Sequence, residues 1–385
     1  MSETSTITLN KKSLSNNIRF LKRKLGQKVK ISSVVKANAY GHGIELMVPL
    51  LIEEGVDHFS VFDFKEAKRV HKAAAVEVDI MVMGWVSNGD IAEAIDKKIS
   101  FYIFHLHRLK KALFYAKRLG KKARIHLEVE SGMNRSGLNM DELCEAINLI
   151  KKNEEYFEIS GFCTHLAGAE SISNHLRIQK QIKRYNRMLK LLQSHELEPQ
   201  YKHIANSAAA FVYPKTRMDL VRVGIMQYGF WSSAETFIHY ISNKKSKTDP
   251  LDRILGWESQ IMSIKEVKTG EFIGYGVSYL AQTDIKTALI PVGYSLGYSR
   301  SLSNKGRLII RGQRCSVIGV VNMNMVIADI SNIADAEIGD KVVIIGKQGD
   351  LEIKVSAFSN NVDMLNYEIL AHLPSNIKRK VICPD

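Results

Sequence analysis

Val34-Val35-Lys36-Ala37-Asn38-Ala39-Tyr40-Gly41-His42-Gly43 is the stretch around which the rest of the chain is organised. It continues a largely apolar, β-branched run that begins at Ile31, and such a run reads as a buried strand. Lys36 ends the run, and small, turn-forming residues follow it. An amine at the mouth of an apolar strand loses water on one side. That lowers its pKa and suits it to condense with a carbonyl carbon. A strand-end lysine is more often simply solvated. Here the polar tips of Asn38, Tyr40 and His42 crowd around the amine, and Gly41 and Gly43 let backbone approach a ligand closely.

Outward from this strand, similar apolar runs recur at 58–62, 78–83, 99–104, 123–129, 157–164, 201–205 and 220–225. The segments between them carry helical spacing, as in Leu109, Leu113, Ala116 and Leu119, or Ile178, Ile182, Tyr185, Leu189 and Leu192. A short strand at 5–9 and a helix through Ile18, Leu21 and Leu25 precede them, with Asn10 as its cap. About eight strand–helix alternations in roughly 220 residues spell an α/β fold, a (β/α)8 TIM-like barrel. A doubly wound open sheet is the alternative. The barrel is favoured by the polar residues that end the runs: Lys36, Glu128 with Glu130, Thr164-His165, Asn206-Ser207, and Arg222 just inside the last run. In a barrel these gather on one rim.

The pattern changes between about 230 and 250, where the polar stretch 243–250 reads as a linker or exposed loop. Short β-rich segments follow at 254–267, 287–292, 306–310, 314–321, 325–330 and 340–345, and one or two short helices lie within 356–373. The expected organisation is a barrel over residues 8–240 and a C-terminal, mostly-β domain over 241–385, on which a strand from 1–9 can pack.

With 385 residues, 45% hydrophobic and 24% charged, the chain has the composition of an ordinary globule. No apolar run is long enough to span a bilayer, and the start is too polar for a secretory signal, so a cytoplasmic protein without membrane contact is expected. The four cysteines are scattered and indicate neither a disulfide framework nor a metal site. A net charge of +14 is compatible with nucleic-acid binding, but the cations alternate with apolar residues along helices and form no basic tail. A solvated basic surface is the better reading, and no nucleic-acid partner is expected.

A phosphate needs a donor cluster at a loop or a helix N-terminus. His203-Ile204-Ala205-Asn206-Ser207-Ala208-Ala209-Ala210 offers a hydroxyl before small helix formers, and Arg222-Val223-Gly224-Ile225 offers an arginine and open amides. With these in place the chain resembles the alanine racemase family along nearly its whole length. The resemblance rests on the Lys36 string, Ser131-Gly132-Met133-Asn134-Arg135, Thr164-His165-Leu166-Ala167, Ala205-Asn206-Ser207-Ala208, Val221-Arg222-Val223-Gly224-Ile225, Gly274-Tyr275-Gly276-Val277-Ser278-Tyr279 and Asn366-Tyr367-Glu368, in that order.

The resemblance implies a homodimer with shared active sites that interconverts L- and D-alanine with pyridoxal 5'-phosphate and supplies D-alanine for peptidoglycan. Lys36 would carry the cofactor, and Tyr40, Ser207, Gly224, Ile225 and Tyr367 would bind its phosphate. Arg222 would face the ring nitrogen and keep it unprotonated, because adjacent cations repel. His165 would bridge Arg222 and the catalytic tyrosine. Lys36 and the partner's Tyr279 would serve opposite faces of the substrate, while Arg135 and the Met323 amide take its carboxylate, with Tyr294 in support. Glu128 stands where many members have a carbamylated lysine, and is expected to orient Arg135 unmodified. Val320, Asn324 and Leu296 replace residues usual in the access corridor. A racemase preferring serine or another amino acid is therefore the nearest alternative, and a pyridoxal-phosphate homeostasis protein is the alternative of another class.

Overall fold

The structure, a computed structural model, describes residues 4–242, 244–362 and 365–383. Asn243, the first residue of the expected linker, lies outside them, as do 1–3 of the expected N-terminal strand and 363–364 of the tail. The chain divides into two compact units. One comprises Ser13–Ala39 and Met47–Asp252, the other Met1–Lys12, Tyr40–Leu46 and Arg253–Asp385.

Strand β1 (Ser5–Asn10) belongs to the second unit and is followed by a helix, Lys11–Leu25, whose Leu14, Ile18, Leu21 and Leu25 are buried at helical spacing. The first unit is the barrel. Its strands are β2 (Lys30–Val34), β3 (His58–Asp63), β4 (Asp79–Trp85), β5 (Ser100–Ile103), β6 (Ala123–Glu128), β7 (Phe157–Cys163), β8 (Tyr201–His203) and β9 (Leu220–Val223). They are all parallel, in the order β8-β7-β6-β5-β4-β3-β2-β9. The ends meet: Arg222 N–H donates to Ala205 O at 3.1 Å, and Asp219 N–H to Lys202 O at 3.1 Å. Side-chain caps start the intervening helices, with Asp63 accepting from Glu66 N–H and Asn139 forming a capping box with Glu142. The barrel unit extends past residue 240 because Asn17 holds Asp252 from both sides, donating to its carbonyl and accepting from its amide, each at 2.8 Å.

The second unit is built on β1 and on β10 (Leu255–Gln260), β11 (Ser263–Val267), β12 (Ile285–Ile290), β13 (Arg307–Ile310), β14 (Gln313–Ile318), β15 (Val326–Asp329), β16 (Lys341–Gln348), β17 (Leu351–Ile353) and β18 (Lys378–Ile382). The order is β11-β12-β15-β14-β13-β16-β10-β1-β18, with β17 on β16. β1 pairs antiparallel with β10 and parallel with β18, so the two ends of the chain close this sheet. The β17 and β18 strands were not expected. The segment Tyr40–Leu46 also belongs here: Arg379 donates to Gly41 O at 2.8 Å, and a Cβ on Gly41 would lie 2.0 Å from Leu370 O.

Candidate active site

Each barrel residue singled out from the sequence sits at or just past the C-terminal end of a strand. Lys36 follows β2, Glu128 ends β6, His165 follows β7, Ser207 follows β8, and Arg222, Gly224 and Ile225 belong to β9 and its exit. Parallel strands of one barrel expose their C-terminal ends at one mouth, so these five separated pieces of sequence share a rim.

The end of β2 is held rigidly. Val34 O accepts from Gln227 Nε2 at 3.0 Å and from the Tyr228 hydroxyl at 2.9 Å, and Ser33 donates to Gln227 Oε1 at 2.7 Å. The backbone then turns left-handed through Ala37, Asn38, Ala39 and Tyr40, with φ between 50 and 55°. Left-handed L-residues cost about 1–2 kcal/mol each, and only asparagine adopts this region readily. Glu66 accepts from Asn38 N–H, and Arg69 donates to the Asn38 side chain, pinning the turn to the helix Phe64–Ala73. The Lys36 amine has its pKa lowered by burial, then by the charges of Arg135 and Arg222, with Glu66 opposing. It is therefore more readily neutral than a solvated lysine and competent as a nucleophile or base.

Arg222 is buried, yet no carboxylate among the described residues pairs with it directly. Its Nη1 donates to His203 Nδ1 at 2.6 Å and His203 O at 2.9 Å, and its Nη2 to Thr164 O at 2.9 Å and Ile204 O at 3.3 Å. Among the described residues this leaves its Nε–H uncommitted. The chain of contacts continues inward. His203 Nε2 meets His126 Nδ1 at 2.9 Å, His126 Nε2 meets Ser100 Oγ at 3.1 Å, and Ser100 donates to Ile80 O at 2.9 Å. Since Ser100 has spent its proton on Ile80, it accepts from His126. His126 Nδ1 must then accept from His203, and His203 Nδ1 from Arg222. Both histidines are thus neutral, in keeping with pKa values driven well below the usual range by burial. A Cβ on Gly161 would sit 2.2 Å from His126 Nδ1, so glycine in β7 makes room for the pair.

Among the described residues no hydrogen bond joins His165 to Arg222. The four η hydrogens of that guanidinium are already taken by His203 and three backbone carbonyls. His165 instead shares the field of Arg222, Arg135 and Lys36, and burial together with these cations pushes its pKa down to about 3. Glu128 ends β6 with a hydrogen-bonded carboxylate. It accepts from the Ser136 hydroxyl at 3.0 Å rather than from the Arg135 guanidinium, and burial raises its pKa while Arg135 and Arg222 act on it through charge. Arg135 is exposed in the loop that follows.

Ser207 opens the helix Ser207–Val212, which Asn206 caps by accepting from Ala209 N–H at 2.9 Å. The Gly224 amide donates to Ser207 Oγ at 3.0 Å, so it is spent within the protein. The hydroxyl that accepts it keeps its own proton to donate, and Ile225 N–H donates to no described residue. Two donors beside a helix N-terminus suit an oxyanion.

In the second unit the rings of Tyr40 and Tyr367 meet edge to face, 6.4 Å apart. Tyr279 packs half-buried on Ile273, Ala281, Ile285 and Ile318. Around it Phe272, Tyr275, Val277 and Leu280 are exposed. Tyr294 and Met323 are about half-exposed, and Met323 N–H donates to no described residue. Ser295 donates to Asn324 Oδ1 at 2.8 Å, a neutral pair.

The residues that sequence reasoning missed are His126, His203, Gln227 and Tyr228. The signal for the two histidines was their place inside the strand-forming runs 123–129 and 201–205. As a donor set, the mouth suits a carbonyl compound with an anionic tail: a depressed lysine, one free guanidinium N–H, and hydroxyl and amide donors at a helix start.

A family model described as alanine racemase, N-terminal domain, matches residues 9–231, and one described as alanine racemase, C-terminal domain, matches 254–381. The alanine racemase of Leptospira interrogans is 30% identical over 380 residues, covering 98% of this chain and 96% of that protein. The solved alanine racemase of Clostridium difficile superposes with a TM-score of 0.89 at 28% identity, covering 99% of this chain and 96% of the other. That of Bartonella henselae, solved with covalently bound pyridoxal phosphate, gives 0.84 at 25% identity, covering 99% of this chain and 100% of the other.

Proposed function

The chain belongs to the alanine racemase family, and from that membership we propose that it interconverts L- and D-alanine with pyridoxal phosphate carried on Lys36. The observation that carries the reading is the barrel mouth. There a lysine of lowered pKa shares a field with a buried arginine held by carbonyls and a neutral histidine rather than by a carboxylate.

When bound, the cofactor supplies an electron sink that acidifies the Cα–H of an amino acid joined to it. Lys36 Nζ moves the proton on one face of Cα, and the Tyr279 hydroxyl of a second protomer moves it on the other, so removal by one base and return by the other inverts the centre. Arg222, whose Nε–H is uncommitted, would face the ring nitrogen. A permanent cation there opposes protonation of that nitrogen, which moderates the sink and disfavours side reactions other than proton exchange. Ser207, Ile225, Tyr40 and Tyr367 would hold the phosphate, with Gly224 fixing Ser207. Arg135 and the partner's Met323 amide take the substrate carboxylate.

The homodimer belongs to the same proposal. Phe272, Tyr275 and Val277 form an apolar stretch beside Tyr279 that a second copy would cover. No helix among the described residues is long and apolar enough to cross a membrane, which suits a cytoplasmic enzyme making D-alanine for peptidoglycan.

The test is a chiral assay of purified protein on alanine, with serine alongside because Val320, Leu296 and Asn324 alter the access corridor. Wild type should racemise alanine. Lys36→Ala should lose the visible absorbance of the bound cofactor and at least ~10³-fold of activity, since both attachment and one base go together. Retained absorbance in Lys36→Ala would move the attachment site elsewhere.

A further inference from the structure

The β-rich unit contains a cleft of about 350 Å3, formed by the turn Arg300–Leu302, strands β13, β14 and β17, and the start of the helix Val355–Val362. Its charged lining is Lys305, Arg307, Arg314, Lys354 and Glu352, four cations against one carboxylate. Leu302, Ile353 and Phe358 supply an apolar floor.

The cations are not consumed by the protein. Lys354 lies 3.8 Å from Glu352, but Lys305, Arg307 and Arg314 pair with no carboxylate among the described residues. Backbone carbonyls orient the two guanidinium groups: Arg307 donates to Gly306 O and Arg314 to Glu352 O, each at 3.1 Å. Nearby Arg311 behaves differently, binding Asp340 at 2.6 Å and facing Asp335 and Glu337 as well. Charge on this unit is therefore neutralised where carboxylates are at hand and left open at the cleft.

A second, independent observation points the same way. Tyr298, which also lines the cleft, is fully buried, and its hydroxyl has no hydrogen-bond partner among the described residues. The hydroxyl ends against Gly306 on the cleft wall, where a Cβ would lie 2.1 Å from it. A buried hydroxyl without a partner is unfavourable, and buried polar groups are nearly always satisfied. A ligand oxygen in the cleft would satisfy it.

We propose that this cleft binds a small phosphorylated metabolite, with its phosphate oxygens taken by Lys305, Arg307 and Arg314 and by the Tyr298 hydroxyl. Convergent donors on several sides match the tetrahedral oxygens of phosphate better than the planar fork of a carboxylate. The excess of three positive charges, four less one, calls for a ligand carrying at least two negative ones. The cleft volume and apolar floor leave room for a planar or apolar body attached to the phosphate. This site is independent of the barrel mouth and of the reaction proposed for it.

The experiment is calorimetric titration of the cofactor-loaded protein with ADP and with inorganic pyrophosphate. The visible absorbance of the holoenzyme is followed to show that neither probe displaces the cofactor. One saturable site per chain is expected, with affinity falling about tenfold or more in Arg307→Gln/Arg314→Gln as two charge-assisted contacts are lost. Tyr298→Phe, which keeps the ring, should weaken binding several-fold. Lys110→Ala/Lys111→Ala, an equal loss of charge on the barrel helix Leu106–Leu119, should leave it unchanged. Absence of saturable binding by both probes would overturn the proposal. So would equal weakening by the two double variants, which would reduce the effect to overall charge.

Discussion

Arg222 shows how a cation can be kept buried and active at once. Its η hydrogens are spent on three carbonyls and His203, and His203 is fixed as an acceptor only because His126 and Ser100 complete a one-way chain of donors. His203→Leu would leave an arginine N–H and His126 Nδ1 unpaired, each a buried polar group. It should cost about 1–3 kcal/mol in denaturant unfolding and lower kcat. His203→Gln can accept from Arg222 and donate to His126, so it should recover most of both. Equal losses in the two variants would show that ring packing, not the hydrogen-bond chain, is what matters. Lys36, Ser207 and Arg222 were legible in the sequence because a polar residue ending an apolar run marks a strand's end. His126 and His203 were not. A polar residue inside a run reads as the solvent face of a strand, and nothing local reveals that both faces of these strands are covered.

At the scale of elements, the turn after Lys36 is the least expected piece. Ala37-Asn38-Ala39-Tyr40 reads locally as a right-handed helix start or an ordinary turn. Its left-handed turn is held by Glu66 and Arg69 of the helix Phe64–Ala73, contacts which the sequence does not display. The turn delivers Tyr40 to Tyr367 and ends at Gly41, whose φ of 77° and contact with Leu370 O tolerate no side chain. Gly41→Ala should therefore destabilise by about 2–4 kcal/mol, combining left-handed strain with overpacking against backbone. It should also weaken cofactor affinity in a pyridoxal phosphate titration of the apoprotein, because Tyr40 is displaced with it. A variant as stable and as tightly loaded as wild type would remove Gly41 from this role. The strand β18 was illegible for a different reason. Lys378-Arg379-Lys380-Val381-Ile382 has only two apolar residues, and it becomes a strand because β1 offers it an edge.

For the whole molecule, eight repeats of strand and helix made the barrel readable. The transfer of residues 40–46 to the other unit was hidden, since it depends on partners more than 300 residues away, Leu370 and Arg379. The barrel also stores a pH dependence. His58, His126, His165 and His203 all have folded pKa values below their usual one, with His58 at about 4 and His165 at about 3, burial being the first cause in each. The unfolded chain therefore takes up protons first as pH falls. The stability these neutral histidines contribute is complete above about pH 6.5 and is lost progressively toward pH 4 and below. Thermal unfolding should show Tm falling across that window in wild type and less steeply in His58→Gln; parallel curves would assign the acid sensitivity elsewhere.

The proposed sharing of each site between two protomers can be tested with co-expressed variants. Lys36→Ala and Tyr279→Phe chains, each inactive alone, are produced together and purified as a mixture. If the amine of one protomer works opposite the phenol of its mate, a mixed dimer has one intact site and one doubly damaged site. Random pairing should then restore about a quarter of wild-type alanine racemisation. A mixture that forms mixed dimers and stays as inactive as its parents would place both groups on the same protomer or remove Tyr279 from the reaction.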